Sequence, residues 1–168
     1  MNSRQEKRNL KSKDLETAKY DALKLLSYRS RTVSELANRL ALKGYDDKVI
    51  KKTLAHFESL GLIDDLKWTD DRMSYYLQRG YGRIGIKHAL QVKGINKNMA
   101  ETALESLSID TEIEAGLKFI GKKYGLHFDL KTKKRAFEAL RRRGFSSEAI
   151  KVVLKKVNER NQYCNEKQ

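Results

Sequence analysis

Between Leu15 and Val157, apolar residues recur every three or four positions, the spacing that places them on one face of a helix. Clear stripes are Leu15, Ala18, Ala22, Leu25 and Leu26; Val49, Ile50, Leu54 and Phe57; and Ala149, Ile150, Val153, Leu154 and Val157. No stretch shows the strict apolar–polar alternation that marks a half-buried strand. The pattern therefore predicts an all-α protein.

The sequence also repeats itself at a spacing of 50 residues. Segments 40–57, 90–107 and 140–157 each carry a leucine, then a glycine, a large apolar residue and a second leucine in the same register. The matching residues are Leu40, Leu90 and Leu140; Gly44, Gly94 and Gly144; Tyr45, Ile95 and Phe145; and Leu54, Leu104 and Leu154. A fixed period of this length is typical of stacked helical repeats.

Each repeated segment predicts the end of one helix and the start of the next. Gly44, Gly94 and Gly144 can adopt the left-handed conformation that ends a helix, because glycine has no Cβ to clash there. Two residues later stand Asp46, Asn96 and Ser146, whose side chains can accept hydrogen bonds from the first amides of a helix. Thr32 and Glu35 predict a further helix start of the capping-box type.

These signals predict three tandem three-helix, helix-turn-helix-like repeats that form an elongated, curved molecule. The predicted boundaries are 15–62 for repeat 1, 63–110 for repeat 2 and 111–159 for the strongly basic repeat 3. A flexible basic tail is expected at 1–14 and a flexible C-terminal tail at 160–168. A longer loop is expected near Gly125–Asp129.

Charge adds a functional clue. The net charge is +14, and residues 116–160 alone hold 14 Lys or Arg against four Asp or Glu. A polyanionic partner is expected, nucleic acid before an anionic membrane surface, although a solubilising surface would also account for the bias. The candidate binding residues are Arg29, Arg31, Arg39, Lys43, Arg79, Arg83, Lys133, Lys134, Arg135, Arg141, Arg142 and Arg143.

An acidic stretch separates the basic zones and contains Asp64, Asp65, Asp70 and Asp71. Because carboxylates repel phosphate, these residues favour a protein partner with basic surface over DNA alone. The alternative for Asp64 or Asp65 is that it caps the following helix.

Evidence for a catalytic or cofactor site is weak. Residues 80–85 match the G-x-G-x-x-G phosphate-loop pattern, but the preceding residues 72–78 indicate a helix instead of a strand. A glycine-rich hinge is preferred there, with Tyr81 and Arg83 exposed enough to contact a partner. His56, His88 and His127 belong to no metal-binding motif, so no catalytic residue, metal or cofactor is expected.

The compartment follows from what the chain contains. Cys164 is the single cysteine, which excludes an intramolecular disulfide and fits a reducing environment. The first 14 residues lack the apolar core of a secretory signal, and no run approaches the roughly 18 apolar residues of a membrane span. A cytoplasmic protein without membrane contact is expected.

The assembled motifs resemble the RecX family of bacterial regulatory proteins. They are Arg29-Ser30-Arg31-Thr32, Glu35-Leu36, Leu40, Lys43-Gly44-Tyr45 and Gly61-Leu62-Ile63-Asp64-Asp65, followed by Arg79, Gly82, Ile86, Leu90 and Lys93-Gly94-Ile95. The resemblance covers residues 18–157. This sequence departs from the family where Trp68 and Thr69 replace Phe-Ala and where Ala89 replaces a glutamate.

By resemblance, the chain is implied to bind the RecA filament on single-stranded DNA without being an enzyme. There it would limit filament growth, ATP turnover, strand exchange and co-protease activity. A monomer is expected, with DNA contacts that are non-sequence-specific, weaker for duplex, and electrostatic, since repeat 3 shows no aromatic stacking ladder. The alternatives are a helix-turn-helix DNA-binding regulator acting without RecA, and an enzyme that uses the glycine-rich loop.

Overall fold

The protein is all-helical, as its apolar pattern predicts. A computed structural model describes residues 14–125 and 129–165, with side chains described as far as residue 159, and these ranges contain helices and no strand. The helices are α1 Leu15–Tyr28, α2 Val33–Leu42, α3 Asp47–Ser59, α4 Asp65–Gln78, α5 Arg83–Val92, α6 Lys97–Glu105, α7 Ile109–Tyr124, α8 Leu130–Arg142 and α9 Ser147–Asn165. Within those ranges, none is long and apolar enough to span a membrane.

Side-chain caps open several helices. The Thr32 hydroxyl accepts a hydrogen bond from the Glu35 amide at 3.0 Å, and the Asn96 side chain accepts one from the Met99 amide at 2.8 Å. Asp46 precedes α3 but makes no side-chain cap bond. Two of these three helix starts thus satisfy one of their free N-terminal amides through the preceding polar side chain.

The three repeated glycines end helices in the left-handed region. Gly44, Gly94 and Gly144 have φ values of 81°, 84° and 69°. The apolar residues that follow, Tyr45, Ile95 and Phe145, are buried. Each turn therefore ends a helix and places one large side chain in the core.

The chain divides into two compact units. The first contains the described residues up to Trp68 together with Lys93–Ile95, and the second contains Thr69–Val92 and the described residues from Asn96 onward. Leu36, Leu40 and Phe57 are among the most buried side chains of the first core, and Ile120, Leu140 and Val153 of the second. The three repeat boundaries at 62, 110 and 159 stay a prediction.

A similar tertiary contact occurs in both units, between positions that differ by 50 residues, the period of the repeat. In the first unit, the Thr32 hydroxyl donates to the Lys93 carbonyl at 2.7 Å, and a Cβ added to Gly94 would lie 2.2 Å from the Ser34 Cβ. In the second unit, the Gly82 amide donates to the Arg143 carbonyl at 3.0 Å. Residue 82 lies 50 positions after residue 32, and residue 143 lies 50 positions after residue 93. The start of α2 thus packs on the turn at Gly94, and the start of α5 packs on the turn at Gly144.

This contact corrects the expectation of a hinge at residues 80–85. The amides of Ile84 and Gly85 both donate to the Gly144 carbonyl, at 2.9 and 3.1 Å. A Cβ on Gly82 would lie 2.2 Å from the Phe145 Cα. The glycines permit close backbone packing, and the amides that a phosphate loop would offer to a ligand are already engaged.

The ends of the chain differ partly from expectation. Asp14, assigned to the N-terminal tail, caps α1 by accepting from the Thr17 amide at 2.8 Å, whereas residues 1–13 lie outside the described residues. The last helix continues to Asn165 into the expected C-terminal tail, because residues 160–165 contain no glycine or proline that would end it. Residues 126–128 of the expected loop and 166–168 also lie outside the described part.

Candidate nucleic-acid interface

A cationic cleft of about 480 Å³ lies in the second unit between the end of α4 and the middle of α7. Arg79, Lys118, Lys122 and Arg143 contribute its charge, and none of the described residues that line it is acidic. Two of these cations, Arg79 and Arg143, are predicted site residues that lie 64 positions apart in the sequence. The fold therefore brings the two basic zones of this unit together.

Helix geometry explains the arrangement of the cations. Lys118 and Lys122 are four residues apart on α7, so they project from the same face of the helix, with about 5–6 Å between their Cβ atoms. Arg79 directly follows α4, and Arg143 is the C-cap of α8. Sequence reasoning missed both lysines, because they lie outside the Lys–Arg runs that it singled out.

Aromatic rings hold the arginines of the cleft in place. The guanidinium carbon of Arg143 is 4.6 Å from the Tyr81 ring centroid and 5.3 Å from that of Phe119. Arg79 donates to the Tyr75 hydroxyl at 2.9 Å. Such cation–π contacts stabilise a fixed position of the charge.

Repeat 3 was expected to show no aromatic stacking ladder of its own, and the folded protein places aromatic rings from another repeat beside its cations. Tyr75, Tyr76 and Tyr81 come from the second predicted repeat, and their rings contact one another at centroid distances of 5.5 Å. They lie beside the cations only in the folded protein, so no local sequence pattern announces them.

A second cleft of about 440 Å³ contains three more of the predicted cations. Lys134, Arg135 and Arg142 line it with Tyr124 and Glu138. Arg141 forms an ion pair with Glu138 at 3.2 Å. Lys133, on the same helix, is half-buried. This cleft is therefore less uniformly basic than the first.

Most of the predicted cations in the first unit have structural partners. Arg31 donates to the Leu25 carbonyl at 3.2 Å, and Lys43 pairs with Asp21 at 3.0 Å. Arg39 is exposed on α2. A phosphate contact from Arg31 or Lys43 would compete with its existing contact.

Arg29 belongs to an ion-pair network around Glu35. The two arginine nitrogens donate to the two carboxylate oxygens at 3.1 and 3.0 Å, and the Lys93 ammonium donates at 2.9 Å. Burial on its own would raise the pKa of Glu35, but the hydrogen bonds from Arg29 and Lys93 outweigh it and lower this pKa to about 2. The network ties the start of α2 to the residues after α5.

Arg83 is also engaged inside the protein. Its guanidinium donates to the carbonyls of Leu104, at 2.7 Å, and Leu107. Its side chain is half-buried, with 35% exposed, and its charge satisfies carbonyls at the end of α6, so contact with a partner through Arg83 stays a prediction. Tyr81, expected beside it on the surface, is half-buried against Arg143.

Glu112 is a buried carboxylate that the sequence did not single out. It has 0% exposure and accepts from the Arg83 amide at 2.9 Å and from the Ser146 amide at 2.8 Å. The Ser146 hydroxyl donates to its other oxygen at 2.8 Å. Its one sequence signal is an acidic residue in the first turn of a helix, a position that most such residues occupy on the surface.

The acidic stretch has mixed roles. Asp64 accepts from the Lys67 amide at 3.0 Å and so caps α4, which is the alternative interpretation for this residue. Asp65 accepts from the Val33 amide at 2.9 Å, and burial raises the pKa of its carboxyl. Asp70 and Asp71 are exposed on α4. A partner-binding role for the acidic stretch stays a prediction, and the exposed Asp70 and Asp71 are its best candidates.

The described residues contain no group of three or more His, Cys, Asp or Glu side chains placed to hold a metal ion. His127 lies outside them. His56 and His88 are exposed on different helices.

Comparison with known proteins adds independent information. The family model for the first three-helix domain of RecX matches residues 18–57. The chain is 32% identical over 145 residues to regulatory protein RecX of Mycobacterium ulcerans, covering 83% of this chain and 84% of that protein. It is 31% identical over 147 residues to the same regulator of Mycolicibacterium smegmatis, covering 82% and 78%.

The fold is similar to a crystal structure of RecX from Lactobacillus salivarius. The TM-score is 0.76 with 23% sequence identity, over 86% of this chain and 97% of that one. The likeness extends over nearly all of the Lactobacillus chain and supports the helical architecture described above.

Proposed function

The chain belongs to the RecX family of regulatory proteins, and from that membership we propose that it binds the RecA filament on single-stranded DNA and inhibits it. Inhibition would extend to filament growth, ATP turnover, strand exchange and co-protease activity, and so would modulate recombination and DNA repair. In this role the protein acts in the cytoplasm as a monomer and performs no chemistry of its own.

The observation that carries this proposal is the cleft of Arg79, Lys118, Lys122 and Arg143. Four cations without an acidic neighbour among the described lining residues match the charge of a nucleic-acid backbone. Asp70 and Asp71, exposed on α4, would face basic surface on a protein partner instead. A surface of both kinds suits a nucleoprotein better than naked DNA.

Binding energy alone can account for inhibition. A protein that prefers one state of a filament shifts the filament towards that state by its difference in affinity for the two. A preference of about tenfold for a state that neither grows nor turns over ATP corresponds to about 1.4 kcal/mol. This amount is within reach of a few charged contacts.

Co-sedimentation tests the proposal. Purified chain is mixed with circular single-stranded DNA, with and without RecA, and the pelleted fraction is measured. We expect RecA to increase the pelleted chain severalfold at moderate salt, because the filament offers contacts that DNA alone does not. Equal pelleting with and without RecA would contradict the proposal and would support the RecA-independent regulator.

A further inference from the structure

We propose that the cleft between α4 and α7 is a binding site for the phosphate backbone of a single strand of nucleic acid, which it holds directly. The inference deepens the proposed function, and it rests on that function only for the source of the strand, the DNA inside a RecA filament.

Charge is the first reason. Arg79, Lys118 and Lys122 are exposed around the cleft, and Arg143 is half-buried within it. Because Lys118 and Lys122 project from one helix face four residues apart, they can contact successive phosphates of one chain. Among the described lining residues no carboxylate opposes them.

Preorganisation is the second reason. Arg143 is held between Tyr81 and Phe119, at 4.6 and 5.3 Å from the two ring centroids. Gly80 leaves room for this arrangement, since a Cβ there would lie 2.5 Å from a Phe119 ring carbon. An arginine fixed in this way loses little side-chain freedom on binding, so more of its interaction energy contributes to affinity.

The shape of the cleft favours one strand over two. A concave volume of about 480 Å³ is in the range of sites that enclose one small molecule, so it can admit a nucleotide of a single strand. A duplex carries its phosphates on the outside of a wide cylinder and can only lie across the opening. Arg143, being half-buried, would then remain out of reach.

The lining also indicates phosphate contact without base reading. Gln78 is the one side-chain amide among the described residues of the cleft, whereas base recognition in a groove needs several such groups in register. Binding should therefore tolerate any base sequence and weaken steeply with salt.

The test compares two double charge reversals of equal spacing. Lys118→Glu/Lys122→Glu changes the cleft, and Lys48→Glu/Lys52→Glu makes the same change on exposed residues of α3 in the other unit. Fluorescence anisotropy measures binding of each folded variant to a labelled oligothymidylate of about 15 nucleotides. Circular dichroism melting confirms that each variant is folded.

We expect the cleft variant to lose roughly tenfold or more in single-strand affinity, and the α3 variant less than about threefold. The slope of log affinity against log salt should fall by about 1.4 for the cleft variant, the value for two lost phosphate contacts. Duplex of the same length should bind the wild type more weakly than the single strand.

Three results would overturn the inference. Equal losses in the two variants would mean that only net charge matters. Duplex binding as tight as single-strand binding would remove the role of the concave shape. Competition by poly-glutamate as strong as that by oligothymidylate would assign the cleft to an acidic peptide. If the cleft variant loses strand binding while the wild-type chain fails to bind RecA, the inference stands and the proposed function fails. If the wild-type chain binds the RecA filament while the cleft variant keeps its strand affinity, the inference fails and the proposed function stands.

Discussion

Glu112 joins the beginnings of two helices through one carboxylate. It accepts backbone hydrogen bonds from Arg83, the first residue of α5, and from Ser146, the residue before α9. Both helix starts carry partial positive charge, which favours a carboxylate at this place. These partners lie 29 and 34 residues away in the chain, so the sequence alone could not reveal the role of Glu112.

Glu112→Ala should lower the free energy of unfolding by about 3 kcal/mol, because it leaves two amides without their acceptor and opens a small cavity. Glu112→Gln should cost less, since it keeps one acceptor oxygen. Urea denaturation measures both. Glu114→Ala, at an exposed position of the same helix, is the control. A loss in Glu112→Ala no greater than in the control would contradict the role assigned to Glu112.

Glu35 should make stability depend on acid. Its pKa in the folded protein is about 2, below the ordinary value of 4.5, because the hydrogen bonds from Arg29 and Lys93 outweigh the effect of burial. A lowered pKa stabilises the fold above the ordinary value, and this contribution is lost as the pH falls from about 4.5 towards about 2. Glu35→Gln should remove this part of the acid sensitivity.

Urea unfolding at several pH values measures the effect. The curve of stability against pH for Glu35→Gln should be flatter than that of wild type in this window and lower at neutral pH. Glu58→Gln, exposed on α3, should leave the curve unchanged in shape. An equally steep loss in Glu35→Gln and wild type would exclude Glu35 as the source.

At the scale of elements, a glycine turn that ends one helix can pack closely against the start of a distant helix. Gly94 has φ of 84°, and its missing Cβ leaves room for Ser34. Gly61 has a similar φ of 66°, but nothing lies within 4 Å of where its Cβ would be. Substitutions at these two glycines therefore distinguish the cost of left-handed backbone strain from the cost of a steric clash.

Gly61→Ala should cost about 1 kcal/mol through left-handed strain, whereas Gly94→Ala should cost about 1–3 kcal/mol more, because the new methyl meets the Ser34 side chain. Adding Ser34→Gly to Gly94→Ala should restore most of the extra loss. Thermal melting of the four proteins checks this. Equal losses in the two alanine variants would refute the close contact.

The sequence predicts the helices well because their signals are local. The spacing of Ile50, Leu54 and Phe57 and the glycine at 44 act within one or two turns of chain. The contact of Thr32 with Lys93, and the cleft that unites Arg79 with Arg143, depend on residues more than 60 positions apart. Local patterns carry no information about such contacts, so they do not predict that Arg83 donates to the Leu104 carbonyl or that Lys118 lies beside Arg143.

At the scale of the whole molecule, the positive charge is unevenly available. In the first unit Arg29, Arg31 and Lys43 are held by Glu35, a carbonyl and Asp21. In the second unit, Arg79, Lys118 and Lys122 are exposed around a cleft. Exposed cations such as Arg39, Lys48 and Lys52 remain in the first unit, but none of them lines a described cleft, so we expect the second unit to contribute more to binding of phosphate.

The most direct test of regulation is the steady-state rate of ATP hydrolysis by RecA on single-stranded DNA, measured while purified chain is added. We expect the rate to fall with increasing chain. The folded Arg141→Ala/Arg142→Ala/Arg143→Ala variant should need severalfold more protein for the same effect, because it lacks charge from both clefts. An unchanged hydrolysis rate at wild-type concentrations that fully occupy the filament in co-sedimentation would contradict the proposed inhibition.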